Sequence, residues 1–224
     1  MAERPVRRGY DATLRRARAV EERSATRQKV LAAAADLFVE RGYIGTTVAA
    51  IAERAGVALQ SVYTAGGSKG ELLQAVHDQA IVGDSAPVPL LARRTVAKIA
   101  QETDARRQLE LFAQLISETL ERAGAILAVY RDAAATDEDV AAQWKAVQLR
   151  RLETFRNIVG NIAPDALADD AADTAWTIGS IDVFLLLRRT RGWSAAKYRV
   201  WLTRALARQL LREPASGPYI GAPL

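Results

Sequence analysis

Gln60, Ser61 and Lys69 are the side chains whose types and spacing best suit chemistry, and that chemistry is recognition rather than bond breaking. A glutamine amide can make a bidentate contact to adenine, and a serine hydroxyl can bond several base edges. Leu59 or the Thr64 methyl group can touch a thymine methyl, and Ala58 opens the same outward stretch. Tyr63 and Lys69 are better placed for phosphates, while Thr46 and Thr47 can cap a helix and offer a hydroxyl to the nucleic-acid backbone. Bond-making chemistry has no comparable set. The chain holds no cysteine and one histidine, His77, so thiolate metal sites and cysteine nucleophiles are excluded and a histidine pair is impossible. Neither a glycine-rich phosphate loop nor a metal-ligand cluster nor a convergent acid pair stands in the sequence, so no enzyme, cofactor or metal is expected. His77 reads as a partly exposed helix residue.

These residues need an element to aim them, and residues 47–63, TVAAIAERAGVALQSVY, supply it as a helix-turn-helix. Val48 and Ile51 face a first helix inward, and Ala52 is small where two backbones must pass. Gly56 falls at the reversal, where a positive φ is needed. Val57 and Val62 then seat a second helix, whose early residues read base edges in the major groove. Upstream, Val30, Leu31, Ala34, Leu37 and Phe38 recur at helical spacing and Gly42 ends their helix. Downstream, Ser68 with Glu71 spells a capping box for a third helix.

This arrangement resembles the DNA-binding domain of TetR-family transcriptional regulators. The shared residues are Gly42-Tyr43, Thr47 through Val57, Tyr63, and Ser68-Lys69 with Leu72-Leu73. Two positions depart from the family pattern. Thr64 stands where a second aromatic is usual, and Gly66 where a phenylalanine is. The absent ring at Gly66 predicts a looser seat for the recognition helix, which Phe at that position would tighten.

With half its 224 residues hydrophobic and a quarter charged, the chain can build one large or two small cores. Net charge is +5, which suits a polyanionic partner. Arg4, Arg7, Arg8, Arg15, Arg16, Arg18, Arg23 and Arg27 crowd the start, so residues 1–23 read as a basic flexible arm. Such an arm is either a solvated tail or a segment that follows phosphates. No stretch approaches the roughly 20 apolar residues of a membrane span, and the basic start lacks the apolar core of a secretion signal. A soluble cytoplasmic protein is the expectation.

Beyond the motif the pattern is long helices without β alternation: all-α, about nine helices. The expected domains are 24–70 for DNA binding and 71–213 for ligand binding and dimerisation, with a disordered tail over 214–224. Pro87 and Pro89 mark the break between domains. Asp104 should cap a helix bearing Leu109, Phe112, Ile116, Leu120, Ala123, Leu127 and Tyr130. Thr136 with Asp139 should start another, bearing Val140, Trp144, Val147, Phe155, Ile158 and Ile162, which Pro164 ends. Residues 174–187, TAWTIGSIDVFLLL, read as one helix apolar nearly all round, which must be covered on opposite faces. Asp182, the one acid in that run, must reach water, pair with a cation or bond a ligand, and an arginine partner is favoured over a ligand. Gly192 stops the helix, and Ser194 caps a last one with the stripe Tyr198, Trp201, Leu202, Ala205, Leu206 and Leu210. The final pair, joined by Arg191-Gly192-Trp193-Ser194, resembles the C-terminal half of an actinobacterial-type TetR regulator.

The resemblance implies a homodimer through the last two helices, which would pair half-sites of a palindromic double-stranded operator about 34 Å apart. It also implies a small-molecule pocket among the C-terminal helices, with Phe112, Ile116, Tyr130, Trp144, Trp176 and Phe184 as candidate walls. A ligand that prefers the wrongly spaced dimer would release DNA, and the protein would then be a repressor. An architectural binder that reads no particular sequence is the alternative.

Overall fold

Arginine, alanine and glutamate fill the first helix, and all three are strong helix formers. A computed structural model describes residues 8–83, 94–163 and 168–211. Helix α1 runs Arg8–Arg41, 34 residues without interruption. The basic segment expected as an arm is thus helical from Arg8 onward, because nothing in it breaks a helix. Then follow α2 (Val48–Ala55), α3 (Leu59–Gly66), α4 (Lys69–Val82), α5 (Arg94–Gln101), α6 (Ala105–Ala133) and α7 (Glu138–Ile162). The remainder are α8 (Ala168–Ile178), α9 (Ile181–Leu185), which runs into a π-helical turn over Leu186–Thr190, and α10 (Ala195–Leu210). Every regular element among the described residues is helical. Pro87, Pro89, Pro164 and the tail from residue 214 lie outside them.

The chain divides into two compact units. The first comprises Met1–Asp78 with Val129–Ala141, the second Gln79–Ala128 with Ala142–Leu224. The expected division after residue 70 would cut α4 in its first turn.

In the first unit the α1 face expected from its spacing is the core: Val30, Leu31, Ala34, Leu37 and Phe38 are all buried, with Ile51, Val62, Leu72 and Leu73. Each of the larger of these side chains contributes about 1.5–3 kcal/mol by its burial, and Ala34 less. His77 is a core residue rather than a partly exposed one. It is 5% exposed, packs edge-on against Tyr130 at 5.3 Å, and bonds Asp78 at 2.9 Å.

The second unit buries Leu109, Phe112, Ile116, Leu120 and Leu127 of α6 with Phe155 and Ile158 of α7, and Tyr198, Leu202, Leu206 and Leu210 of α10. Trp144 and Trp201, placed on the same stripes by spacing, are only half-buried. Asp104 caps α6, accepting from the Arg107 amide at 2.8 Å. The start of α7 differs from expectation. Asp137, not Thr136, accepts from the Val140 amide at 3.1 Å, because the Thr136 hydroxyl turns back to the Ala133 carbonyl at 3.0 Å.

The run 174–187 is not one helix. It breaks at Gly179-Ser180, where Ser180 is extended and caps α9 through the Val183 amide. Arg151 holds the break open by donating to the carbonyls of Trp176 and Gly179 at 2.9 and 2.8 Å. A helix end left without such partners would strand its last carbonyls. Asp182 is also not the buried acid that spacing suggested. The break places it, exposed, in the first turn of α9, where a helix N-terminus favours negative charge.

Candidate nucleic-acid interface

Thr47 starts the motif, its hydroxyl accepting from the Ala50 amide at 3.1 Å to cap α2. Gly56 ends that helix at φ 66°, in the left-handed region, and the Val57 amide closes the turn onto the Ala52 carbonyl at 3.1 Å. A side chain here would meet no neighbour, so the requirement is conformational rather than spatial. In α3 Val62 is fully buried, while Ala58, Leu59, Gln60, Tyr63 and Thr64 are exposed and Ser61 is half-buried.

Most of the residues expected to meet DNA are thus exposed, and Thr46 is not among them. Thr46 is fully buried, and its hydroxyl is engaged with the carbonyls of Leu37 at 3.0 Å and Gly42 at 2.8 Å. It closes the α1–α2 corner and offers nothing to a phosphate. Thr64 spends its hydroxyl on the Gln60 carbonyl at 2.9 Å, which leaves its methyl as the outward group.

Several anchors fix α3. Arg27 of α1 donates to the Ala65 carbonyl near the end of the recognition helix. The Ser68 capping box is complete: the Ser68 amide donates to Glu71 at 2.8 Å, and the Glu71 amide to the Ser68 hydroxyl at 3.2 Å. Those bonds hold the Glu71 carboxyl below its ordinary range, the Ser68 amide contributing most. Arg54 grips both oxygens of Glu40 at 3.1 and 3.0 Å, tying α2 to α1. Gly66 leaves no hole, contrary to the expectation of a missing plug. An added Cβ would stand 2.1 Å from a methyl carbon of Leu72, which is fully buried and fills that place from α4.

Lys69, expected at a phosphate, donates instead to the Tyr43 carbonyl at 3.1 Å and lies 4.0 Å above the Tyr43 ring. An ammonium has three N–H groups, so others remain. The N-cap of α3 is Ala58, which makes no side-chain cap. The Ser61 amide donates to the Ala58 carbonyl at 2.9 Å, and the Leu59 and Gln60 amides receive no side-chain cap. Arg15, Arg16, Arg18 and Arg23 stand exposed along α1.

The six residues expected around a ligand lie in different surroundings. Phe112, Ile116 and Phe184 are packed core, and Tyr130 belongs to the first unit with His77. Trp144 and Trp176 are half-buried. None of the six borders the grooves of the second unit, which lie between Ser117–Arg122 of α6 and Ala195–Arg199 of α10, and between Arg107–Gln114 and Arg199–Arg204.

The profile of the bacterial regulatory proteins of the tetR family matches residues 30–76. That segment is similar to the DNA-binding domain of this family. It runs from the buried face of α1 through α2 and α3 into the capped start of α4. No curated protein matches the chain. Among solved structures, a TerR/AcrR-family transcriptional regulator from Aquifex aeolicus VF5 is 18% identical over 81% of this chain and 97% of its own, with a TM-score of 0.60. A TetR-like regulator from Rhodococcus sp. RHA1 is 20% identical over 84% and 97%, with a TM-score of 0.56. A TetR-family regulator from Thermus thermophilus is 19% identical over 81% and 97%, with a TM-score of 0.57. These likenesses extend the TetR-type fold beyond the matched segment. No described helix is long and apolar enough to cross a membrane.

Proposed function

We propose that this chain is a cytoplasmic, sequence-specific transcriptional repressor that binds a palindromic operator as a homodimer and releases it on binding a small molecule. The carrying observation is the outward face of α3, Leu59, Gln60, Tyr63 and Thr64, exposed on an eight-residue helix that has no side-chain cap. Its anchors at Arg27, Val62 and the Ser68–Glu71 box fix the direction in which those side chains point. Thr47, Ala58 and Ser61 complete the contact set, and Lys69 supplies a cation at the start of α4. The same set argues against an architectural binder, because a protein that reads only phosphates has no use for an exposed glutamine at a rigid helix start. Pairing through α8–α10 fits the actinobacterial-type C-terminal half and gives two reading helices one turn of DNA apart.

Selection from a randomised duplex pool tests the reading, with light scattering on the same sample. A palindromic consensus bound by two subunits is expected. Enrichment of no sequence, or a single subunit on the selected site, would overturn it.

A further inference from the structure

The second unit encloses a cation whose surroundings are carbonyls and rings rather than an ion partner. Arg151 donates twice from one terminal nitrogen, to Trp176 and Gly179. Its guanidinium lies 4.4 Å from the centre of the Phe155 ring and 5.7 Å from that of Trp176. Among the described residues no carboxylate lies within ion-pair distance of it. A guanidinium carries five N–H donors, so the two carbonyl bonds leave three. Burial lowers its pKa to about 10, while the nearby Asp182 carboxylate acts the other way. The group stays charged at neutral pH. An enclosed cation without an anion in contact is costly, and a ligand anion would relieve that cost.

Two further polar atoms belong to the same neighbourhood. Tyr198 is 0% exposed and its hydroxyl has no hydrogen-bond partner. Burial, the largest influence, pushes its phenol well above the ordinary range against the opposing pull of the Arg151 cation, so it remains a donor. The indole N–H of Trp176 is also buried without a partner, on the ring that faces Arg151. Buried donors are nearly always satisfied, so two orphans around one unpaired cation need an explanation. Phe155 and Phe184, the latter edge-on to Tyr198 at 5.1 Å, add apolar walls. Arg151 and Trp176 are each partly exposed, which gives the cluster a surface edge.

We propose that Arg151, Tyr198 and Trp176 bind the carboxylate of a small organic monoanion whose apolar body lies against the neighbouring rings. This rests on reading the second unit as ligand-binding, and names the chemical class of the ligand. All three groups donate, so the head must accept. A single enclosed cation suits one negative charge, and a phosphate dianion would bring a second charge with no counterpart. Aromatic walls select an apolar body over a hydroxylated one.

Benzoate, phenylacetate and octanoate, each against its primary amide, probe the site by calorimetric titration of the full-length protein. The acids are expected to bind saturably, and the amides at least about tenfold more weakly. Arg151→Gln should abolish the difference. Because Arg151 also ends α8, that variant could fail to fold, and Tyr198→Phe keeps the test decisive. Tyr198→Phe removes a hydroxyl that has no partner, so the thermal midpoint should hold while acid affinity falls about tenfold. Equal binding of acids and amides, or a Tyr198→Phe protein that binds acids like the parent, would overturn the proposal. Mobility shift on the selected operator separates the two readings. Acids that bind without releasing DNA would leave this site standing and remove the ligand-released repressor. Operator binding without any acid binding would remove only this site.

Discussion

The phenol of Tyr43 donates a 2.8 Å hydrogen bond to the carboxylate of Asp137, a residue 94 positions away, within the first unit. Asp137 also caps α7 through the Val140 amide, and Lys69 over the Tyr43 ring adds positive charge nearby. One corner thus joins the end of α1, the start of α4 and the start of α7. The Val140 amide first, and the Tyr43 hydroxyl second, hold the Asp137 carboxyl below its ordinary range. A carboxyl depressed by folding contributes stability that is complete above its unfolded pKa, about 3.9, and fades as pH falls through the folded value. Tyr43→Phe should therefore lower the thermal midpoint at neutral pH and change it little near about pH 2. Scanning calorimetry of both proteins across that range checks this. An equal deficit at every pH would assign the loss to packing instead.

Gly66→Ala should destabilise the first unit by about 1–3 kcal/mol, the usual cost of overpacking. The added carbon would lie 2.1 Å from a methyl and 2.9 Å from the branch carbon of Leu72, a side chain with no solvent exposure. Urea denaturation reads the change. A midpoint equal to or above the parent's would show that α4 yields more easily than its burial implies.

Thr46 and Thr47 are neighbours with opposite duties, and their variants should separate cleanly. Thr46→Val withdraws a buried hydroxyl from two carbonyls and should cost about 1–3 kcal/mol, with DNA affinity preserved in whatever protein remains folded. Thr47→Ala removes an exposed cap and should cost about 1 kcal/mol, together with any phosphate contact the hydroxyl makes. Paired denaturation and DNA-binding curves would contradict this if the two variants behaved alike.

Gln60→Ala should cost about 1–3 kcal/mol on the selected operator and relax preference at one base pair. Deleting residues 1–22 should instead weaken binding to all sequences and flatten the dependence of log affinity on log salt. Titrations at several salt concentrations, on operator and on random duplex, distinguish them. An unchanged slope after the deletion would mean that the arginines of α1 touch no phosphates.

Features that depend on near neighbours in the chain were legible from it. The α1 core face, the caps at Thr47, Asp104 and Ser194, the Ser68–Glu71 box and the left-handed turns at Gly42, Gly56 and Gly192 each involve residues within a turn or so. What escaped reading depends on distant partners. The break at Gly179-Ser180 follows from Arg151, which reaches its two carbonyls from 25 and 28 positions away. The apparent hole at Gly66 is closed by Leu72, a neighbour on the next helix. Thr46 turns inward because two carbonyls of the α1 corner await it, which no spacing rule could tell from its outward neighbour. Of the six residues grouped as pocket walls, Tyr130 packs edge-on against His77 in the first unit, a contact 53 positions apart that no spacing rule shows.

The long first helix carries a consequence of its own. From Leu14 to Lys29 nearly every side chain faces water, a rod of about 24 Å at 1.5 Å per residue. Isolated helices of that length are marginal in water, so these turns draw little order from the body they lead into. Their amides should exchange with solvent on a faster clock than those from Val30 onward. A stretch so lightly held, and so rich in guanidinium groups, is one that a polyanion can stiffen on arrival.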